Sequence, residues 1–268
     1  MQNIDVLIVG AGPVGLQMGL CLAREGISFQ IIDKKAGPTT TSNAIVVNAR
    51  SLEIWNTLGF LDEAVNRGLK VFGTSLYTEE KNLNKVGFEI FKSNHQFVLS
   101  LPQADTEQLL LEQLAAQGCN VQWNSELIEL SQTNEYVLAT YKTQEETIEC
   151  KAKWIIGCDG YRSDVRELSG ITRKCHDLPL HFLMVDAEAS GNVKFETINL
   201  LFHNQGMIFS IPMVKNIRIV VETSSDEKYK DIKTCTPEVF RQVVNGRYPG
   251  IKIGNIDWCS AFYIHECL

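Results

Sequence analysis

Two short clusters of glycine and acid carry the most legible chemistry in this sequence. The first, Gly10-Ala-Gly12-Pro13-Val14-Gly15, has the spacing of a phosphate-binding turn. Gly10 would allow the tight turn, Gly12 would let a pyrophosphate approach the backbone, and Gly15 would let helix and strand pack closely. Pro13 and Val14 would open a helix whose first turn offers N–H groups and a positive dipole end to the phosphates. Asp33 follows about twenty positions on, where a carboxylate accepts hydrogen bonds from ribose hydroxyls, with Lys34 beside it. An acid there, in place of arginine, favours an adenosine with a free hydroxyl, as in FAD or NAD, over NADP. The second cluster is Trp154-Ile-Ile-Gly-Cys-Asp159-Gly160-Tyr-Arg162-Ser163-Asp-Val-Arg166.

The elements around the first cluster give it meaning, since glycines alone also make ordinary turns. Asp5 to Gly10 is a short apolar run that suits a strand buried on both faces of a parallel sheet. Pro13 opens a helical pattern carrying Leu16, Leu20 and Ala23 on one face, and Gly26 closes it. Ile27 to Asp33 supplies the next strand, which completes a β-α-β unit. A helix is predicted over Ala49 to Leu58, and another over Asp105 to Gln117 with Asp105 as N-cap. Period-two patterns between Val71 and Leu101 predict antiparallel strands inserted into the α/β core. Leu127–Leu130, Tyr136–Tyr141 and Thr147–Cys150 predict a small meander, and Trp154–Gly157 a further buried parallel strand. After Cys175 the chain is mostly strand-like, interrupted by one helix near Pro237 to Val244.

With both clusters in place, the sequence resembles the class A flavoprotein monooxygenases, the family of p-hydroxybenzoate hydroxylase and phenol hydroxylase. In that family a strand ending in Gly-Cys-Asp-Gly, followed by Ser and Arg, lies beside the FAD pyrophosphate; Ser163 is in addition a natural helix cap. The segment Thr40 to Glu53 is similar to the stretch after the first ribose acid, and Arg50 matches its second arginine. Asn43 stands where members carry the first. Gln103-Ala-Asp-Thr-Glu107 resembles a helix start whose glutamine reaches the ribityl chain. The resemblance implies an α/β fold: a Rossmann-type FAD-binding domain with a mixed β-sheet substrate domain, p-hydroxybenzoate hydroxylase-like. Residues 1–72 and 101–176 are expected to form the first, and residues 73–100 and 177–268 the second. It implies cofactor contacts from Gly10, Gly12, Pro13, Val14, Gly15, Asp33, Lys34, Arg50, Gln103, Asp159 and Gly160. Members carry a Gly-Asp-Ala-Ala-His-type motif further on, and nothing here matches it, so the chain reads as C-terminally truncated.

The implied activity is hydroxylation of a phenol-like aromatic molecule with O2, with NADH or NADPH as transient co-substrate and FAD doing the hard chemistry. No catalytic side chain is assigned. His176, His181, His203 and His265 are dispersed and read as structural or surface residues. Two other readings stay open: a nucleotide-binding chain without catalysis, and another FAD enzyme on this scaffold, such as a halogenase or reductase. Against halogenation, Met207 and Phe209 stand where halogenases carry tryptophan. A plain NAD dehydrogenase fits less well, because the β-α-β alternation stops after Asp33.

Composition narrows the partners. A net charge of −7 and a pI of 5.3 give no basic footprint for nucleic acid or an anionic membrane. No run approaches the roughly 18 apolar residues of a membrane helix, and the N-terminus has no signal-peptide pattern, so a cytoplasmic protein is expected. Eight cysteines are scattered without a Cys-x-x-Cys pair, which predicts free thiols and no metal site.

Overall fold

Residues 2–41, 44–78, 81–90 and 92–267 are described by the computed structural model; Asn43 and the side chain of His265 lie outside them. The chain opens with β1 (Gln2–Val9), α1 (Pro13–Arg24), β2 (Phe29–Ile32), β3 (Val46–Val47), α2 (Ala49–Leu58) and α3 (Leu61–Arg67). There follow β4 (Leu69–Val71), β5 (Gly73–Thr78), β6 (Asn82–Gly87), β7 (Val98–Ser100) and α4 (Gln103–Ala116). Then come β8 (Val121–Gln122), β9 (Glu126–Gln132), β10 (Val137–Lys142), β11 (Thr147–Gly157) and α5 (Asp164–Leu168). The remainder is β12 (Cys175–Gly191), β13 (Ile198–Phe202), β14 (Ile208–Pro212), β15 (Ile217–Glu222), α6 (Pro237–Arg247) and β16 (Ile251–Cys267). Two compact units divide these elements. The first takes Met1–Ile45, Trp55–Ala64 and Pro102–Thr172, the second Val46–Ile54, Val65–Leu101 and Arg173–Leu268.

In the first unit a six-stranded sheet runs in the order β8-β2-β1-β11-β10-β9, parallel from β8 to β11 and antiparallel beyond. Val6 to Val9 of β1 are all buried, as a central parallel strand covered on both faces requires. Helix α1 buries Leu16, Gly19 and Leu20; at Gly19 a Cβ would come within 2.7 Å of the Ile31 side chain, so the small residue lets the helix sit close to β2. Gly26, at φ +68°, supplies the left-handed turn just after that helix.

The fold departs from the expected elements at two points. The predicted strands Thr147–Cys150 and Trp154–Gly157 are a single strand, β11, whose Cys150 pairs with Gln2 of β1 on one side and Ala139 of β10 on the other. β10 follows it only as far as Ala152, so beyond that point β11 is an edge and Trp154 is 70% exposed, not buried. Helix α4 begins at Gln103 behind the extended backbone of Pro102, which leaves Asp105 inside the first turn, where its charge suits the helix dipole.

The second unit holds a three-stranded sheet, β3-β7-β4, and a seven-stranded sheet, β16-β12-β15-β14-β13-β5-β6, antiparallel except for β13 on β5. One face of the larger sheet, with Leu183, Val185 and Ile219, packs with Phe240, Val243 and Val244 of α6. Thr236 caps that helix, its Oγ1 accepting the Val239 N–H. Phe182, Met184 and Val220 gather Phe209, Trp258 and Phe262 in a second cluster, with Phe182 stacked on Phe262 at 5.1 Å. The expectation of free thiols fails at Cys175 and Cys267, which form a disulfide. They are directly paired residues at the ends of β12 and β16, 92 positions apart, and only that strand register brings them together. Among the described residues no helix is long and apolar enough to cross a membrane.

Candidate cofactor site

The first unit contains a cleft of about 380 Å³ where the C-terminal ends of β1 and β2 meet the loop after β11. That is where ligands enter open α/β sheets, and the volume lies within the roughly 300–1,000 Å³ of ligand clefts. Gly10, Gly12, Pro13 and Val14 form one wall. Gly10 has φ +104°, and a Cβ on it would collide with the carbonyl of Cys158, so the turn depends on glycine. Its N–H donates to Ile32 O at 2.8 Å, and Cys158 N–H donates to Val9 O at 2.7 Å, which stitches the loop to both neighbouring strands. Gly15 is positioned by the same crowding: a Cβ there would strike the Gly10 carbonyl.

Gly12 differs from both. A Cβ on it would meet nothing within 4 Å, so its backbone faces open space in the cleft. Among the described residues no side chain caps the N-terminus of α1, and Pro13 occupies its first turn. An uncapped helix end beside an exposed glycine backbone is suited to an anion such as a pyrophosphate.

Four carboxylates and two lysines make up the charged lining: Asp33, Glu107, Asp159, Asp164, Lys34 and Lys35. Asp33 directly follows β2 and is 7% exposed; its Oδ2 accepts the Ala11 N–H at 2.7 Å and its Oδ1 the Lys35 N–H at 2.8 Å. A carboxylate has about four lone-pair sites, so Asp33 retains capacity for hydroxyl donors. Asp159 accepts from Ser163 Oγ at 2.6 Å and from Val165 N–H at 3.0 Å, while Ser163 Oγ accepts the Arg166 N–H and caps α5. Lys34 Nζ lies 2.8 Å from Asp164, and that hydrogen bond holds the ammonium pKa above its ordinary value. Burial, then the charge of Asp159, pushes the Cys158 thiol up, so this cysteine on the cleft wall stays protonated and is a poor nucleophile.

Of the residues singled out in the sequence, Gly10, Gly12, Pro13, Val14, Asp33, Lys34, Gln103, Asp159 and Gly160 line this cleft together. Gly15 supports it from behind. Arg50 belongs to the second unit, where its guanidinium pairs with Glu53 at 3.0 Å. The sequence assigned no cleft role to Lys35, Thr39, Ser125, Leu127 or Glu107, which also line it. Glu107 carried a signal, because it stands one helical turn after Gln103. Ser125 and Leu127 carried none, since the β8 to β9 connection alone brings them to the cleft.

A family profile described as an FAD binding domain matches residues 3–267, nearly the whole chain. The chain belongs to the FAD-binding domain family. The open backbone at Gly12, the uncapped end of α1 and the remaining acceptor capacity of Asp33 fit the adenosine diphosphate part of FAD. Among curated proteins, this FAD-binding chain is similar to 6-methylpretetramide 4-monooxygenase of Streptomyces rimosus, at 27% identity over 98% of this chain and 47% of that protein. It is also similar to pentachlorophenol 4-monooxygenase of Sphingobium chlorophenolicum, at 30% identity over 66% of this chain and 34% of that protein. The chain thus spans about half or less of these relatives. Its fold is that of a flavin-dependent monooxygenase, PieE, solved with FAD and substrate: TM-score 0.84, 18% identity, 99% of this chain and 50% of that one. Aklavinone-11 hydroxylase, solved with FAD and aklavinone, gives a TM-score of 0.80 at 22% identity, covering 100% of this chain and 55% of that one.

Proposed function

We propose that this chain is the FAD-binding and substrate-recognition part of a monooxygenase that hydroxylates a phenol-like aromatic molecule with O2 and NADH or NADPH. The observation that carries the reading is the convergence of Gly12, Asp33 and the Asp159-Gly160 turn on one cleft. The monooxygenase relatives named above support the reaction class, and a chlorinated phenol among their substrates supports an aromatic one.

When bound, FAD supplies the redox chemistry, taking reducing equivalents from the pyridine nucleotide and delivering one oxygen atom of O2 to the ring. The residues of this chain supply placement. Asp33 accepts ribose hydroxyls while its backbone partners hold the carboxylate still. The first turn of α1, with the backbone of Gly12 and Val14, would hold the pyrophosphate. Asp159, fixed by Ser163 and the Val165 N–H, sets the loop that lies against the glycine turn, with Gly160 at φ +76°. Gln103 presents its amide from the start of α4. Arg50 is assigned to the cofactor on the family resemblance.

The test is an absorption spectrum of the purified chain titrated with FAD. Bound oxidised flavin absorbs at about 370 and 450 nm, and saturable changes in these bands with quenched flavin fluorescence are expected. Binding of ADP with no response to FAD would replace this reading with that of a nucleotide-binding chain without flavin chemistry.

A further inference from the structure

Glu107 is a carboxylate with no exposed surface, and neither hydrogen bond it accepts comes from a basic side chain. Its Oε2 takes the Thr39 N–H at 2.8 Å and its Oε1 takes Nε2 of Gln103 at 3.0 Å. One turn earlier on the same helix, Gln103 grips the chain at Ala44: its N–H donates to Ala44 O at 2.9 Å and its Oε1 accepts the Ala44 N–H at 3.4 Å. The two side chains therefore hold the loop after Asp33 at two points, residues 39 and 44. Thr39, Gln103 and Glu107 all line the cleft.

We propose that Glu107 is a positioning residue of the cofactor cleft, whose two acceptor oxygens set the direction of the Gln103 amide and thereby fasten Thr39 and Ala44 to α4. The inference rests on reading the cleft as the FAD site. Two donors, Thr39 N–H and Gln103 Nε2, converge on two oxygens that only accept. An amide at position 107 offers one acceptor and one donor, so it satisfies one of them and opposes the other. Turning the Gln103 amide over would repair that contact, but would then aim an NH2 group at the Ala44 N–H. Burial makes either mismatch costly. Two acceptor oxygens at position 107 are thus required by the contacts at Thr39 and Gln103, and Thr39 with Lys34 and Lys35 lines one wall of the cleft.

The same reasoning predicts which change restores order. In the exchanged pair Q103E with E107Q, the new amide accepts from Thr39 and donates to the new carboxylate, whose second oxygen accepts from Ala44. The Thr39 N–H, the Ala44 N–H and the hydrogen shared between positions 103 and 107 then each meet an acceptor.

The experiment is site-resolved amide hydrogen exchange on the whole chain, with and without FAD, for wild type, E107Q and the exchanged pair, together with FAD titration. In E107Q, exchange at Thr39 and Ala44 is expected to rise about ten-fold, and the dissociation constant for FAD to rise about ten-fold, the effect of one buried donor left unmatched. Amides of β1 and β11 keep their protection. The exchanged pair recovers protection at Thr39 and Ala44. Unchanged exchange at Thr39 in E107Q overturns the proposal, as does loosened exchange with unaltered FAD affinity. Should E107Q alone not fold, a folded exchanged pair with Thr39 protected supports the proposal, and failure of that pair to fold overturns it. The exchange measurement without FAD stands even where wild type binds no FAD, a result that would sink the cofactor reading and leave the role of Glu107 in the loop separately decided.

Discussion

The carboxylate of Asp33 accepts the N–H of Ala11 at 2.7 Å, tying the end of β2 to the middle of the glycine turn that follows β1. The acid is therefore part of the turn as well as a candidate ligand for ribose. Its other oxygen holds the Lys35 N–H at 2.8 Å. In D33N one of these donors faces an NH2 group. The expected loss is about 1–3 kcal/mol of stability, the cost of a buried donor left unsatisfied, with weaker FAD binding alongside. Urea unfolding and FAD titration of the same preparation check both, and an unchanged urea midpoint would show that the turn does not depend on the carboxylate.

Gly10 and Gly12 separate folding from binding. In G10A the new Cβ collides with the Cys158 carbonyl on a backbone at φ +104°, and a loss of about 1–3 kcal/mol is expected from strain alone. In G12A nothing lies within 4 Å of the new methyl group, so stability should stay within about 0.5 kcal/mol of wild type. The methyl group would nevertheless occupy space that a pyrophosphate needs, and FAD affinity should fall at least ten-fold. Full FAD affinity in G12A would remove the phosphates from this wall of the cleft.

The contrast between these glycines also marks what the sequence could disclose. The β1-turn-α1-β2 unit is local: an apolar run, a glycine turn, a proline-opened helix and an acid stand within one stretch, each enforcing the next. Its reading needed no tertiary information. Joining Thr147–Cys150 to Trp154–Gly157 needed it, because Cys150 is paired on both sides while Trp154 has β1 on one side only. The Cys175–Cys267 bond depends on a register across β12 and β16 that spacing does not encode. Ser125 and Leu127 reach the cleft through a chain crossing, with no motif to announce them.

Asp5 offers a pH signature away from the cleft. Its carboxyl receives hydrogen bonds from Lys153 and Ser28, and these hold its pKa down at about 2. In the unfolded chain the group titrates near ~3.9. Because the folded value is depressed, the stabilisation is complete above the unfolded pKa and is lost as pH falls through the folded one. The window is therefore about pH 4 to 2. In K153M the Asp5 pKa should rise toward the ordinary carboxylate range, followed by NMR titration of its carboxyl carbon. An Asp5 titration that does not move would mean that the 2.6 Å contact with Lys153 is not maintained in solution.

On the larger sheet, Arg218 is 2% exposed and meets Asp186 through two bonds of 2.7 Å, from Nε to Oδ1 and from Nη2 to Oδ2. The two residues are directly paired across β12 and β15, and the guanidinium also lies over the Trp258 ring at 5.4 Å. Such a fork is geometrically demanding, and it joins a buried guanidinium to the carboxylate through two charge-assisted bonds. Removing one partner should therefore cost far more than removing both. D186A is expected to destabilise the chain by about 3–5 kcal/mol, whereas D186L with R218M, which fills the volume with apolar atoms, should fall much closer to wild type. A double-mutant cycle by urea unfolding gives the coupling between the two side chains directly. If D186A unfolds at the same urea concentration as wild type, the pair is not a structural element of the sheet.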